Sequence, residues 1–167
     1  MITLDALSAL ALLLISTMLI LMLLNRPVAL EAHGFEPAPD MMGAMKAVRL
    51  DELAANPRYP VAASIYTQGL TSTHNATLAE AIGELYFSGK EDEAESLAKE
   101  FAGHAFPAGL GMELLAEKPG LDCEGHASQF SCVYGRQGPA ERNFVSVDRH
   151  FIYYGNMNRE MRLVIYK

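Results

Sequence analysis

The 167-residue chain contains no tryptophan, only two cysteines, and 13 basic residues against 20 acidic ones, which leaves a formal charge of −7. Binding to nucleic acid depends on Lys and Arg that neutralise phosphates. With no basic stripe and no basic residues interleaved with aromatics, that class of partner is not expected. A Gly-rich phosphate loop, a nucleophile elbow and a His-Glu-x-x-His pair are missing as well. The acidic run Glu91-Asp92-Glu93, with Glu95, reads as a solvated helix start rather than as paired catalytic carboxylates. The chain is therefore expected not to be an enzyme and to carry no cofactor.

Charge is missing altogether from Ala6 to Asn25. About twenty residues at roughly 1.5 Å of rise each match the roughly 30 Å hydrocarbon thickness of a bilayer. The stretch is apolar on every face, so it reads as a membrane helix or as a helix enclosed by other helices. A cleaved secretory signal would need a basic start, a shorter apolar core and a small-residue cleavage site, and none of these is present. Asp5 is the only charged side chain before Arg26, so residues 6–167 carry −6 and form an acidic head. The length suits one globular domain plus an anchor.

Cys123 and Cys132 lie nine positions apart in a segment rich in Gly, Ser and Asp. A disulfide between them would close a short loop and contribute about 2–3 kcal/mol, and it would imply an oxidising compartment. Two free thiols in a reducing cytosol are the alternative. Cys123, His126 and Cys132 could also be grouped with His150 as metal ligands. Their spacing does not bring ligands in two close pairs, so a disulfide beside a surface histidine is preferred and no metal is expected. His33, His74 and His104 are scattered and read as solvent-facing or capping residues.

Three segments follow: a hydrophobic helix over 1–26, a proline-containing connector over 27–39, and a head over 40–167 that is helical over 40–106 and a sheet over 109–167. Asp40 is expected to cap a helix running to about Leu53, with Met41, Met45 and Val48 on one face and Asn56-Pro57 and Pro60 ending it. Pro60 to Leu70 reads as a further short helix. Thr77-Leu-Ala-Glu80 has the capping-box spacing ahead of Leu78, Ile82, Leu85 and Tyr86, and Ser88-Gly89 closes that helix. The next begins with Glu91, Asp92 and Glu93 at the favourable end of the helix dipole and buries Ala94, Leu97, Ala98 and Phe101. Strands are expected over 111–118, 130–134, 144–154 and 161–165. In the last two, Val145, Val147, Phe151 and Tyr153, then Met161, Leu163 and Ile165, alternate in a half-buried antiparallel meander around a Gly155-Asn-Met-Asn158 turn. The fold class is α+β.

Asp5 sits at the edge of a long apolar helix, where an acid is costly in lipid unless it is neutralised. The α-amino group of Met1, from the same chain or from a shifted neighbour, is the nearest compensating charge. A neighbour's amine would fix axial register between subunits. Asn75-Ala-Thr77 is an N-glycan acceptor sequon just before a helix start.

Met1-Ile-Thr-Leu-Asp5 followed by an unbroken apolar helix resembles the mature N-terminus of type IV pilins and of archaeal pilin-like proteins. That family commonly has Glu where Asp5 stands, so this chain has one methylene less of reach. The order of connector, helical middle and C-terminal sheet with a cysteine pair is similar to that of pilin heads. Phe144 to Tyr154 and Met161 to Tyr166 look like the terminal strands of archaeal pilin-like proteins. The resemblance implies that numbering starts after a membrane peptidase removes a short basic leader, and that an assembly machinery and a glycan at Asn75 are involved. It implies a subunit held singly in the cytoplasmic membrane that then polymerises into an extracellular filament. Its helices would pack through Ala6, Ser8, Ala9, Ala11 and Ser16, which are small enough for close backbone approach. The rival expectations are a single-pass anchored binding or accessory protein, with Met1 as initiator, and a minor pilin or secretion-system pseudopilin.

Overall fold

The computed structural model describes residues 37–73, 75–106, 109–138 and 144–167. The expected helix over 1–26 lies outside them, and with it Met1, Asp5, Ala6, Ser8, Ala9, Ala11 and Ser16. Among the described residues no helix is long and apolar enough to cross a membrane.

The fold is α+β, with helices followed by a four-stranded antiparallel sheet. Helix α1 spans Pro37–Ala47 and α2 spans Leu50–Ala54. The single helix expected from Asp40 to Leu53 is thus two helices, broken at Val48-Arg49. Asp40 sits within the first turn of α1 rather than at its cap; Ala38, Met42 and Met45 are its buried residues, and of the expected Met41, Met45 and Val48 the first and last are half-buried against the core. The break has a structural cause. Arg49 forms an isolated β-bridge with Thr77, and the flanking amides of Leu50 and Leu78 donate to the carbonyls of Ala76 and Val48 at 2.9 Å each.

Helix α3, Pro60–Thr67, starts with proline at its first position, where the missing N–H costs nothing. Its first-turn amides, which have no partner within the helix, are satisfied from a distance, since the Glu100 carboxylate accepts from Val61 N and Ala62 N at 2.8 and 3.0 Å. Helix α4, Leu78–Phe87, has the expected capping box. Thr77 Oγ1 accepts from Glu80 N, and Glu80 Oε2 accepts from Thr77 N at 2.8 Å. It ends where Gly89, at φ +85°, lets Lys90 N donate back to Leu85 O at 2.9 Å. Helix α5, Glu91–Ala105, buries Ala94, Leu97, Ala98 and Phe101 as its spacing requires.

The main sheet comprises β1 (Gly111–Ala116), β4 (Ser131–Arg136), β5 (Val145–Tyr154) and β6 (Met157–Tyr166) in the order β4-β1-β6-β5. It is not a meander, because β1 is inserted between β4 and the C-terminal strand. A small ribbon of β2 (Gly120–Leu121) and β3 (Ala127–Ser128) lies between β1 and β4. Met112, Leu114 and Ala116 of β1 and Met161, Leu163 and Ile165 of β6 point into one core with the helices. Gly83, in the middle of α4, marks a close approach of helix and sheet. A Cβ there would lie 2.1 Å from Ile152 Cδ1 and 2.9 Å from Met161 Sδ. Glycine is poor in helix interiors by about 1 kcal/mol, and its place here follows from that contact.

Candidate functional site

Strand β5 is turned opposite to its hydrophobic pattern. Val145, Val147, Phe151 and Tyr153 are exposed, the last two at 60% and 70%, and Ile152 alone among its large aliphatic residues is buried. Its inward positions are mostly polar and meet α1. Ser146 Oγ accepts from Ala38 N at 3.3 Å, and Asp148 lies 3.9 Å from Lys46 Nζ. The cause is register. Gly155 and Asn156, both at positive φ, make a two-residue turn that pairs Tyr154 with Met157, and so His150 with Met161 and Asp148 with Leu163. Because β6 turns Met161 and Leu163 into the core, the polar residues opposite them go inward and the apolar phase of β5 goes outward. The half-buried phase expected from alternation is therefore corrected for this strand.

The outward face continues onto β6 through Val164 and Arg162, and Arg149 stands among its apolar residues. Glu160 is shared by two guanidinium groups, at 2.7 Å from Arg162 and 3.5 Å from Arg149. Arg162 also stacks 3.8 Å from the centroid of the Phe130 ring. The hairpin segment from Phe144 to Lys167 has four basic residues against two acidic ones, whereas residues 37–106 have ten acidic against five basic.

Cys123 and Cys132 are joined by a disulfide, with Cα atoms 4.8 Å apart. The loop it closes is ordered by Asp122, whose carboxylate accepts from His126 N at 2.8 Å and Glu124 N at 3.0 Å. These backbone donors hold the Asp122 carboxyl below its usual range. His126 is an exposed neighbour of that loop and sits 3.7 Å from both Asp122 and Glu124. Among the described residues there is no group of three or more His, Cys, Asp or Glu that could hold a metal ion.

Asn75 is exposed, and its Oδ1 accepts from Arg49 Nη2 at 2.7 Å. The hydroxyl of Thr77, the third residue of the sequon, is engaged in the α4 cap.

His150, weighed above as a metal ligand with Cys123, His126 and Cys132, is an inward residue of β5. Its Nε2 is buried with no hydrogen-bond partner among the described residues. Burial, and next the Lys46 cation, lower its pKa, against the opposing pull of Glu80 and Asp148. An unfolded chain therefore takes up a proton at this histidine before the folded one does. The folded head is expected to hold its full stability above about pH 6.5 and to lose stability as pH falls through and below that value. Thermal midpoints of the wild type and His150→Phe at pH 7.5 and 5.5 check this, and the variant should show the smaller drop.

On the helical layer, α3 and α5 border a groove of about 470 Å³. Pro60, Val61 and Leu70 give it apolar walls, and Asp92 and Glu93 stand on its rim. Among the described residues neither rim carboxylate has an ion-pair partner. Comparison of the chain with family models, with curated proteins and with solved structures returned no match.

Proposed function

We propose that the chain is the structural subunit of a type IV pilus-like filament on the cell surface. The observation that carries this reading is the union of an uncharged apolar run from Ala6 to Asn25, edged by Asp5, with an acidic α+β head. The head's disulfide supports placement in an oxidising, extracytoplasmic compartment. In the membrane the apolar segment is held singly. On assembly it exchanges lipid for its own copies, so the gain comes from close packing at Ala6, Ser8, Ala9, Ala11 and Ser16 and from the Asp5 carboxylate meeting a chain-terminal amine. A prepilin-type peptidase and an assembly machinery are the partners this reading requires, and Asn75 is the position at which it places a glycan.

The test is N-terminal sequencing and intact-mass analysis of protein sheared from the surface of the cells that make it, with electron microscopy of the same fraction. Filaments whose subunit begins Met-Ile-Thr-Leu are the expected result. Recovery of the chain only as single copies in the membrane fraction would overturn the proposal in favour of a tethered accessory protein.

A further inference from the structure

We infer that the outward face of the β5–β6 hairpin docks on the groove between α3 and α5 of a second copy of this chain. The inference deepens the filament reading and rests on it for the identity of the occupant. Of the exposed large hydrophobic residues among the described ones, all but Leu121 fall between Phe144 and Met157. An apolar stripe so concentrated on one strand marks a docking surface. β5 is also an edge strand of its sheet, and among the described residues no further strand pairs with its open side.

Charge decides between occupants. Arg149 stands in the middle of the stripe with 61% of its side chain exposed, and Glu160, its ion-pair partner among the described residues, is closer to Arg162. A partner that covers Val147 and Phe151 and also answers this cation presents acid beside apolar surface. The α3–α5 groove does so, with Asp92 and Glu93 beside Pro60, Val61 and Leu70. The chain's own uncharged run from Ala6 to Asn25 offers apolar area and nothing to answer the guanidinium. A stripe-to-stripe contact around a two-fold axis would set Arg149 near its own copy.

The groove lies in the helical layer, and the stripe lies on the sheet face turned away from that layer. A contact between unlike surfaces leaves one groove and one stripe unfilled at the two ends of every pair, and so propagates into a helical filament wherever its rotation does not close a ring. The two surfaces supply a head-to-head register that apolar helices alone do not specify.

The experiment uses the full chain in detergent and in the membranes of expressing cells, with Val147 replaced by the photo-crosslinking residue p-benzoylphenylalanine. Mixed unlabelled and ¹⁵N-labelled protein identifies crosslinks between copies by mass spectrometry. The expected product joins position 147 of one copy to the segment from Pro60 to Leu70 of another. Arg149→Asp, or Asp92→Arg with Glu93→Arg, should lower its yield about fivefold, and the triple variant should recover to within about twofold of the parent. A crosslink from 147 to 147, a crosslink into residues 1–36, crosslinks to lipid alone or no crosslink between copies would each overturn the inference. So would a triple variant as weak as its parts. Filaments without this crosslink remove the inference and keep the filament reading, whereas the crosslink without filaments does the reverse.

Discussion

Leu163→Ala is expected to cost the head about 2–5 kcal/mol, whereas Phe151→Ala on the adjacent strand is expected to change stability by no more than about 0.5 kcal/mol. Leu163 is fully buried on β6, paired with Leu114 on one side and Asp148 on the other. Truncating it removes apolar contacts on the central strand and leaves a cavity that two flanking strands and the overlying helices cannot close without moving. Phe151 has more carbon to lose, yet 60% of it already faces water and its cross-strand neighbour is Glu160. Against a typical total stability of about 5–15 kcal/mol, the first change alone takes a large share. Denaturant unfolding of both variants of the full chain in detergent checks the contrast. Similar shifts in midpoint would mean that the outward face of β5 is packed against something within the molecule.

The same pair shows where reading the residues succeeds and where it stops. Alternation marks both runs as strands, but it does not state which phase faces inward when apolar residues occupy one phase of each. For β6 the apolar phase is the buried one. For β5 it is not, and the signal that could have shown this is the turn. Reading Gly155-Asn156 as a two-residue loop, instead of a four-residue turn through Asn158, fixes His150 opposite Met161 and Asp148 opposite Leu163. Once β6 is placed, the polar residues of β5 must go inward. The outward stripe was thus recoverable from local turn chemistry combined with the neighbouring strand.

Apart from the Asp40 cap and the Gly155-Asn156 turn, features governed by neighbours a few residues away were legible. The Thr77–Glu80 cap, the Gly89 stop, the acidic first turn of α5 and the Cys123–Cys132 pair all follow from spacing, because the interacting groups are close along the chain. Features set by distant partners were not. The split between α1 and α2 is imposed by a bridge from Arg49 to Thr77, and the insertion of β1 between β4 and β6 is a choice of topology rather than of propensity. The carboxylate of Glu100 caps a helix that begins forty positions before it in the chain. The groove was hidden for the same reason. Asp92 and Glu93 read as an ordinary acidic helix start, and only the packing of α3 beside α5 makes them the rim of an apolar trough.

Asp5→Ala is expected to leave the head folded and the chain in the membrane, and to lower the amount of assembled filament at least about tenfold, a difference of roughly 1.4 kcal/mol per subunit added. The argument is one of opposing effects. A carboxylate in a membrane helix costs up to about 2.5–3.5 kcal/mol on insertion scales, less near the edge where Asp5 stands, so alanine makes the solitary helix more comfortable in lipid. The same change removes the group proposed to answer a chain-terminal amine in the assembled bundle, where lipid-like surroundings would make an unpaired ammonium expensive. Both shifts push the equilibrium toward the membrane-held subunit. Asp5→Asn should fail like alanine, since a neutral amide cannot neutralise an ammonium. Asp5→Glu should assemble at least as well as the parent, because it restores the reach that the shorter acid lacks. Circular dichroism of purified chains establishes that the head is unchanged, and sheared filament mass per cell reads the effect. Normal filament yield from Asp5→Ala would show that register and cohesion come from elsewhere, with the head contacts at Arg149 the next place to look.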